Sequence, residues 1–370
     1  MSKVRYYKFA EDQRRYPQAW LYAIIGGRKR GKTYSTLLDC IEQQNKRDFI
    51  FIKRTMDDVD MICSGSGNVR SGALDIGVDL DPFAAINRDE GTDYKCFSIR
   101  SGIAGCWHTT TTEDGKLQPV GAPAGMIFAL NGVTKYKGME LASSKMQHWM
   151  IFDEFIPNIY DRVNRKEGIQ LLDFYMTVSR DRVQRGLEEV KLICLANATD
   201  IANPVFDTLE LTDTVADMQA NGVEEWYDPD RCIYIHNLDD DPSFMETEKK
   251  TGLYKAMANT AWGRVTYGNQ FAYNDFSNIS NKALKGYRCI AGWIYRESSA
   301  YIYYNDGQYY VTTSPGKPDR IYNLNLENDQ KLFFLNVVID LRMASIEGRV
   351  KYKKYSFYDL ITNYKKVFKI

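Results

Sequence analysis

Histidine is scarce in this sequence, with 3 in 370 residues. At positions 108, 148 and 236 they form no HExxH pair and no mixed His/Cys ligand set, which argues against a transition metal held by the protein itself. Cysteine numbers 7, an odd count, and no two lie closer than Cys96 and Cys106. Neither a disulfide framework nor a CxxC zinc knuckle follows from that spacing. Long apolar runs are missing as well. The longest, such as Trp20 to Ile25, fall far short of the roughly 18 to 20 residues that cross a bilayer, and the opening MSKVRYYKFAEDQRR has no apolar signal core. The expectation is a soluble intracellular protein with no membrane partner. Net charge is absent too: Lys+Arg and Asp+Glu are both 48. The balance is local, however. Residues 224–248 carry nine acids against one base, and residues 349–370 seven bases against one acid.

What is present describes a folded chain. Apolar residues make up 44%, charged residues 26%, and aromatics reach 13% through 26 Tyr, so wholesale disorder is excluded. At roughly 100 to 200 residues per domain, the length suggests two domains. LYAII (21–25) is a short branched run bounded by Gly26 and Gly27, a buried strand by pattern. Leu37, Leu38 and Ile41 then recur at helical spacing, and FIFIK (49–53) is a second buried strand. A strand, loop, helix, strand unit predicts a parallel sheet. Further strands are expected at Met126–Leu130, Trp149–Phe152 and Val190–Leu195, with a helix over Gly168–Val178. Residues 64–125, rich in Gly, Ser, Thr and Asp, read as an insertion with hairpin pieces near 94–100 and 106–112. Beyond Arg288 the β-formers cluster around Asn305-Asp306-Gly307, an antiparallel meander. Phe357, Leu360, Ile361, Tyr364 and Phe368 predict a closing amphipathic helix.

Gly26-Gly27-Arg28-Lys29-Arg30-Gly31-Lys32-Thr33 fits GxxxxGK[ST] in full, between a strand and a helix. Such a loop turns backbone N–H groups toward phosphate; Lys32 reaches the terminal phosphates of ATP, and the Thr33 hydroxyl binds Mg²⁺. Some 120 residues on, WMIFDE (149–154) ends an apolar strand in two acids. Asp153 can hold the metal through water and Glu154 can activate the attacking water. The pair points to the additional-strand, catalytic-glutamate branch of P-loop ATPases. The further strand would end at Asn197, either a γ-phosphate sensor or a strand cap. Arg180, Arg182 and Arg185 close a helix, where they serve as a phosphoryl-stabilising finger or as a solvated basic end.

GGRKRGKTYS (26–35), MIFDEF (150–155), MTVSRDR (176–182) and ICLANATDIANPVF (193–206) together resemble the DNA-packaging motor ATPases, or encapsidation proteins, of small terminal-protein-primed tailed phages, distant relatives of the FtsK and HerA translocases. The resemblance implies an ATP- and Mg²⁺-dependent ATPase that drives double-stranded DNA into a preformed capsid. It implies self-assembly into a ring, a pentamer in that family, in the host cytoplasm and transiently at the portal vertex; need for a structural RNA stays open. Lys32 and Thr33 become Walker A, Asp153 and Glu154 Walker B, and Arg180 the finger acting in trans, with Arg182 second. The expected fold is α/β: a P-loop ATPase domain at 1–212 with its insertion at about 64–125, a linker or helical subdomain at 213–280, and a C-terminal α+β domain at 281–370, RNase H-like by the resemblance. The first strand of that last domain, Cys289–Tyr295, has none of the carboxylates a two-metal nuclease needs, which argues against nuclease activity. A helicase, a terminase-type ATPase and a nucleotide-gated scaffold are the alternatives. Lys135 and Lys137, which flank Tyr136, and Lys351, Lys353 and Lys354 are candidate contacts to the DNA backbone; ordinary surface turns and a solvated basic face are the competing readings.

Overall fold

The computed structural model describes residues 6–63, 80–113, 115–135, 145–158, 164–238, 242–267, 271 and 274–370. The chain divides into two compact units, Met1–Leu209 with Met218–Tyr273, and Glu210–Asp217 with Asn274–Ile370. The expected subdomain at 213–280 is therefore not set apart. Most of it joins the first unit, because its acid-rich stretch contains two short strands that extend the sheet.

That sheet has nine strands: β1 (Leu21–Ile25), β2 (Arg47–Lys53), β3 (Tyr94–Arg100), β4 (Ile103–Thr111), β5 (Leu117–Ala129), β6 (Gln147–Asp153), β7 (Lys191–Ala196), β8 (Glu225–Asp228) and β9 (Ile233–Asn237). Their order is β3-β4-β5-β2-β6-β7-β1-β9-β8. The six central strands, β5 to β9 in that order, are parallel, while β4 runs antiparallel to both neighbours and β8 antiparallel to β9. The stretch expected as an insertion thus widens the sheet through β3, β4 and β5; residues 64–79 lie outside the described residues. Every residue of β1 and β7 is buried, as a parallel sheet covered on both faces requires.

Five helices flank the central strands: α1 (Phe9–Arg15), α2 (Lys32–Glu42), α3 (Met56–Cys63), α4 (Ala84–Glu90) and α5 (Glu167–Ser179). α2 turns Leu37, Cys40 and Ile41 inward, and α1 sets Phe9 edge-on to both Tyr22 and Trp149, in a core shared with Phe49 and Phe51. α5 buries Leu171, Phe174, Tyr175 and Val178.

The second unit holds a five-stranded sheet of β10 (Arg288–Tyr295), β11 (Ser298–Asn305), β12 (Gln308–Thr312), β13 (Arg320–Asn323) and β14 (Val350–Tyr352), in the order β13-β10-β11-β12-β14. β10, β11 and β12 form the expected meander, turning at Asp306 (φ 42°) and Gly307 (φ 80°), the two left-handed positions of a type I′ turn. β13 and β14 add parallel strands at its edges. Trp293, Phe333, Tyr352 and Tyr364 lie in its core. The single closing helix is a correction: the chain forms Tyr355–Thr362 and then Tyr364–Phe368, with Asn363 between them bonded back to Asp359. Among the described residues no helix is long and apolar enough to cross a membrane.

Candidate nucleotide site

Parallel strands in phase bring their ends together. Ile25 pairs with Ala196, and Leu195 with Asp153, so Gly26 and Asn197 leave β1 and β7 at one level, with Asp153 two residues short of them at the carboxyl end of β6. β7 lies between the strand that precedes the glycine loop and the one that ends in Asp153, the additional-strand arrangement expected from sequence. The loop is shaped by two left-handed residues, Lys29 (φ 63°) and Gly31 (φ 78°); Gly31 then caps α2 and turns its first N–H groups toward the cavity. Gly26 and Gly27 are required for a different reason. A Cβ on Gly26 would lie 2.8 Å from Leu238, and one on Gly27 2.9 Å from the Thr266 carbonyl oxygen.

Side chains converge on this turn. The Thr33 hydroxyl donates to Asp153 Oδ1 at 2.8 Å, and Lys53 Nζ meets Asp153 Oδ2 at 2.9 Å. Lys32 Nζ donates to the carbonyls of Gly26 and Gly27, both at 2.8 Å, and to Asn197 Oδ1 at 3.3 Å. Burial pulls the Lys32 ammonium down to about 7, opposed by the nearby Asp153. A buried cation whose partners are mainly neutral carbonyls is short of negative charge, and the terminal phosphates of a nucleotide would supply it. The cavity beside it has a volume of about 290 Å³ and is bounded by loop residues 28–34 with Asp153, Glu154 and Asn197. Glu154 is exposed and sits at φ 57°, a left-handed backbone that costs a residue with a Cβ on the order of 1 kcal/mol.

The other loop cations have separate neighbours. Arg28 is exposed, and its N–H donates to the Thr266 carbonyl. Lys29 pairs with Glu248 at 3.1 Å. Arg30 is buried.

The donor set fits a magnesium nucleotide. Thr33 and Asp153 present two oxygens side by side next to the buried lysine. Among the described residues no cluster of three or more His, Cys, Asp or Glu is placed to hold a metal ion, so phosphate and water would complete the shell.

Comparison with known proteins fits this geometry. A family model described as the podovirus DNA encapsidation protein (Gp16) matches residues 134–343, more than half of the chain. The chain belongs to that family. The Phi-28 gp11 DNA packaging motor has the same fold, with a TM-score of 0.55 over 97% of each chain at 15% identity. The C-terminal domain of Gp16 from Bacillus virus phi29 is 12% identical, with a TM-score of 0.21 over 26% of this chain and 95% of that one. The large terminase ATPase domain of Thermus phage P74-26 is 11% identical, with a TM-score of 0.35 over 68% of this chain and 89% of that one. No curated protein sequence matches.

Several expected site residues lie elsewhere. Arg180 is exposed at the C-cap of α5. Arg182 is only 2% exposed and donates to the carbonyls of Lys145 and Met146 at 3.0 and 3.1 Å. Those carbonyls immediately precede β6, at its opposite end from Asp153. Seven residues at about 3.3 Å each put the two ends some 20 Å apart. Arg182 is thus a buried strut and does not suit the role of a finger. Its removal would take a donor from the Lys145 carbonyl, whereas the Met146 carbonyl would keep the Glu188 N–H at 3.1 Å, a loss of about 1 kcal/mol. Lys135 is exposed at the end of the 3-10 turn Leu130–Lys135, and Lys137 lies outside the described residues. In the tail, Lys351 donates to the Ser277 carbonyl at 2.8 Å, Lys353 to Thr313 at 3.3 Å, and Lys354 pairs with Asp213 at 3.3 Å, so all three have partners within their own unit.

Sequence reasoning passed over Lys53 and Arg54. Their signal was a Lys-Arg pair closing the apolar run FIFI, the same polar tip on an apolar strand that singled out Asp153 and Asn197.

Proposed function

We propose that this protein is the ATP-hydrolysing motor that drives double-stranded viral DNA into a preformed capsid, acting as a ring of identical subunits. The observation that carries the reading is the meeting of Lys32, Thr33, Asp153, Glu154 and Asn197 around one cavity at the carboxyl end of a parallel sheet.

In this reading Lys32 neutralises charge on the terminal phosphates of ATP, while the N–H groups that open α2 cradle them. Thr33 and Asp153 hold Mg²⁺, which when bound would offset the charge that builds up on the phosphate oxygens. Glu154 takes the proton of the attacking water, and Asn197 orients that water by a hydrogen bond. Arg180 serves a neighbouring subunit's cavity: α5 starts near Glu154 and runs 13 residues, about 20 Å at 1.5 Å per residue, away from its own site. A motor of this kind works against a capsid, so its partners are duplex DNA, further copies of itself and the portal, where it resides transiently; a ring of five is the expectation carried by the resemblance. The test is ATPase rate against protein concentration, with and without long duplex DNA. A rate per subunit that neither climbs with assembly nor responds to duplex would sink the motor reading.

A further inference from the structure

Arg54 follows the last residue of β2 and turns its guanidinium to the main chain beside Glu154. Nη2 donates to the Glu154 carbonyl at 2.7 Å and to the Phe155 carbonyl at 3.2 Å. The same side chain grips Glu167, Nε to Oε2 at 2.8 Å and Nη2 to Oε1 at 3.3 Å. Both partners are shielded, the side chains of Arg54 and Glu167 being 13% and 4% exposed. The guanidinium also lies 5.8 Å from the Phe152 ring centroid. Through Nε and Nη2 one planar group spans two carbonyls and a carboxylate, which a lysine's single ammonium cannot reproduce.

The backbone it holds is an unusual one. Glu154 is left-handed at φ 57°, and its side chain borders both the nucleotide cavity and a neighbouring hollow of about 180 Å³ that Arg54 itself helps to line. A residue with a Cβ leaves that conformation unless its surroundings hold it there. The Arg54 bond is to the carbonyl of that very residue, so it restrains the peptide that aims the carboxylate. Glu167 in turn fixes the arginine, and it opens α5.

Resting on the hydrolytic reading of Glu154, we propose that Arg54 is a positioning residue for hydrolysis: anchored by Glu167, it holds the Glu154 main chain so that the carboxylate faces the attacking water. Because Glu167 begins the helix that ends at Arg180, the same pair ties the aim of one subunit's Glu154 to the element presented to its neighbour.

The test is a cycle of Arg54→Lys and Glu154→Gln on the full chain. ATP affinity, steady-state kcat and KM are measured at ring-forming concentration, and folding is checked by thermal melting. Arg54→Lys should leave the ATP Kd within about twofold and lower kcat at least tenfold. In the Glu154→Gln background the same change should cost less than twofold, because the group it acts through is already gone. An arginine that merely supports the fold would cost the same factor in both backgrounds, and that result overturns the proposal. So does a kcat for Arg54→Lys within twofold of the native value. Should Arg54→Lys fail to fold, Glu167→Gln provides the same cycle with a smaller expected loss, about threefold, which must also vanish beside Glu154→Gln. Hydrolysis by the native chain reports separately on the motor reading, so its absence would be a failure of that reading, and an equal cost in both backgrounds a failure of this one.

Discussion

Two buried lysines at opposite ends of the same parallel strands make almost the same bonds. Lys32, at the carboxyl end, donates to the carbonyls of Gly26 and Gly27; Lys191, opening β7 at the amino end, donates to those of Pro17 and Ala19 at 2.8 and 2.9 Å. Burial lowers the pKa of both. What separates them is what lies beyond the carbonyls. Lys32 borders a cavity and faces Asp153, Glu154 and Asn197. At the amino end Arg182 also turns to main-chain carbonyls, and the buried His148 is pulled down to about 4, chiefly by burial and then by Arg182. Lys191 and Arg182 at the amino end brace the main chain, whereas Lys32 at the carboxyl end makes similar bonds on the wall of a cavity.

Substituting the two lysines tests the contrast at its widest. Lys32→Ala should abolish ATP binding, raising Kd at least 100-fold, with little change in melting temperature; Lys191→Ala should keep Kd within about twofold and melt earlier. The reverse pattern in calorimetry and thermal melting would erase the distinction between the ends. Next in size is Glu154→Gln, expected to bind ATP and turn it over at least tenfold more slowly, since the geometry survives while the base is lost. Near-normal turnover would remove Glu154 from the chemistry.

Mixing sharpens the comparison further. Arg180→Ala and Glu154→Gln subunits should each be inactive alone, yet some interfaces in mixed rings would join an intact Glu154 to an intact Arg180, and part of the activity should return. Verified mixed rings without recovery at any ratio would rule out an arginine acting in trans.

A smaller effect stems from the pKa of Lys32. It lies near 7 in the free site, and phosphate charge would raise it, so above pH 7 binding takes up a proton. Affinity for ATP should then be flat below pH 7 and fall as pH rises above it, by up to tenfold per unit. A Kd independent of pH between 6 and 9 contradicts this. The smallest expected change concerns the basic tail: neutralising Lys351, Lys353 and Lys354 together should alter the slope of log affinity for duplex DNA against log salt by less than one phosphate equivalent, about 0.9. A change near three equivalents would return those lysines to the DNA path.

Much of the site was legible because its strands are short apolar runs that end abruptly in polar residues, as at Ile25-Gly26, Phe152-Asp153 and Ala196-Asn197. The inserted strand followed from the same pattern. β8 and β9 were hidden because Glu225, Asp228 and His236 interrupt them and the surrounding acids resemble a linker; β9 takes its place from distant β1, and β8 pairs with β9. The role of Arg182 was likewise out of reach. Three arginines in seven residues look equivalent in a string, and only the carbonyls of Lys145 and Met146, more than 35 positions away, distinguish the buried one from exposed Arg180.

The walls behind Gly26 and Gly27 bear on how the protein is made. A nascent chain that has emerged as far as Asn197 already carries the glycine loop, both acids and the sensor position, but Leu238 and Thr266, which press against the two glycines, come later. Thr266 emerges about 70 residues after Asn197, roughly 3 to 14 s of synthesis at 5–20 residues per second. Until then the loop lacks its backing and the Arg28 N–H its acceptor. A chain cut after Asn197 would therefore keep every residue that lines the cavity while lacking both groups that press on its glycines.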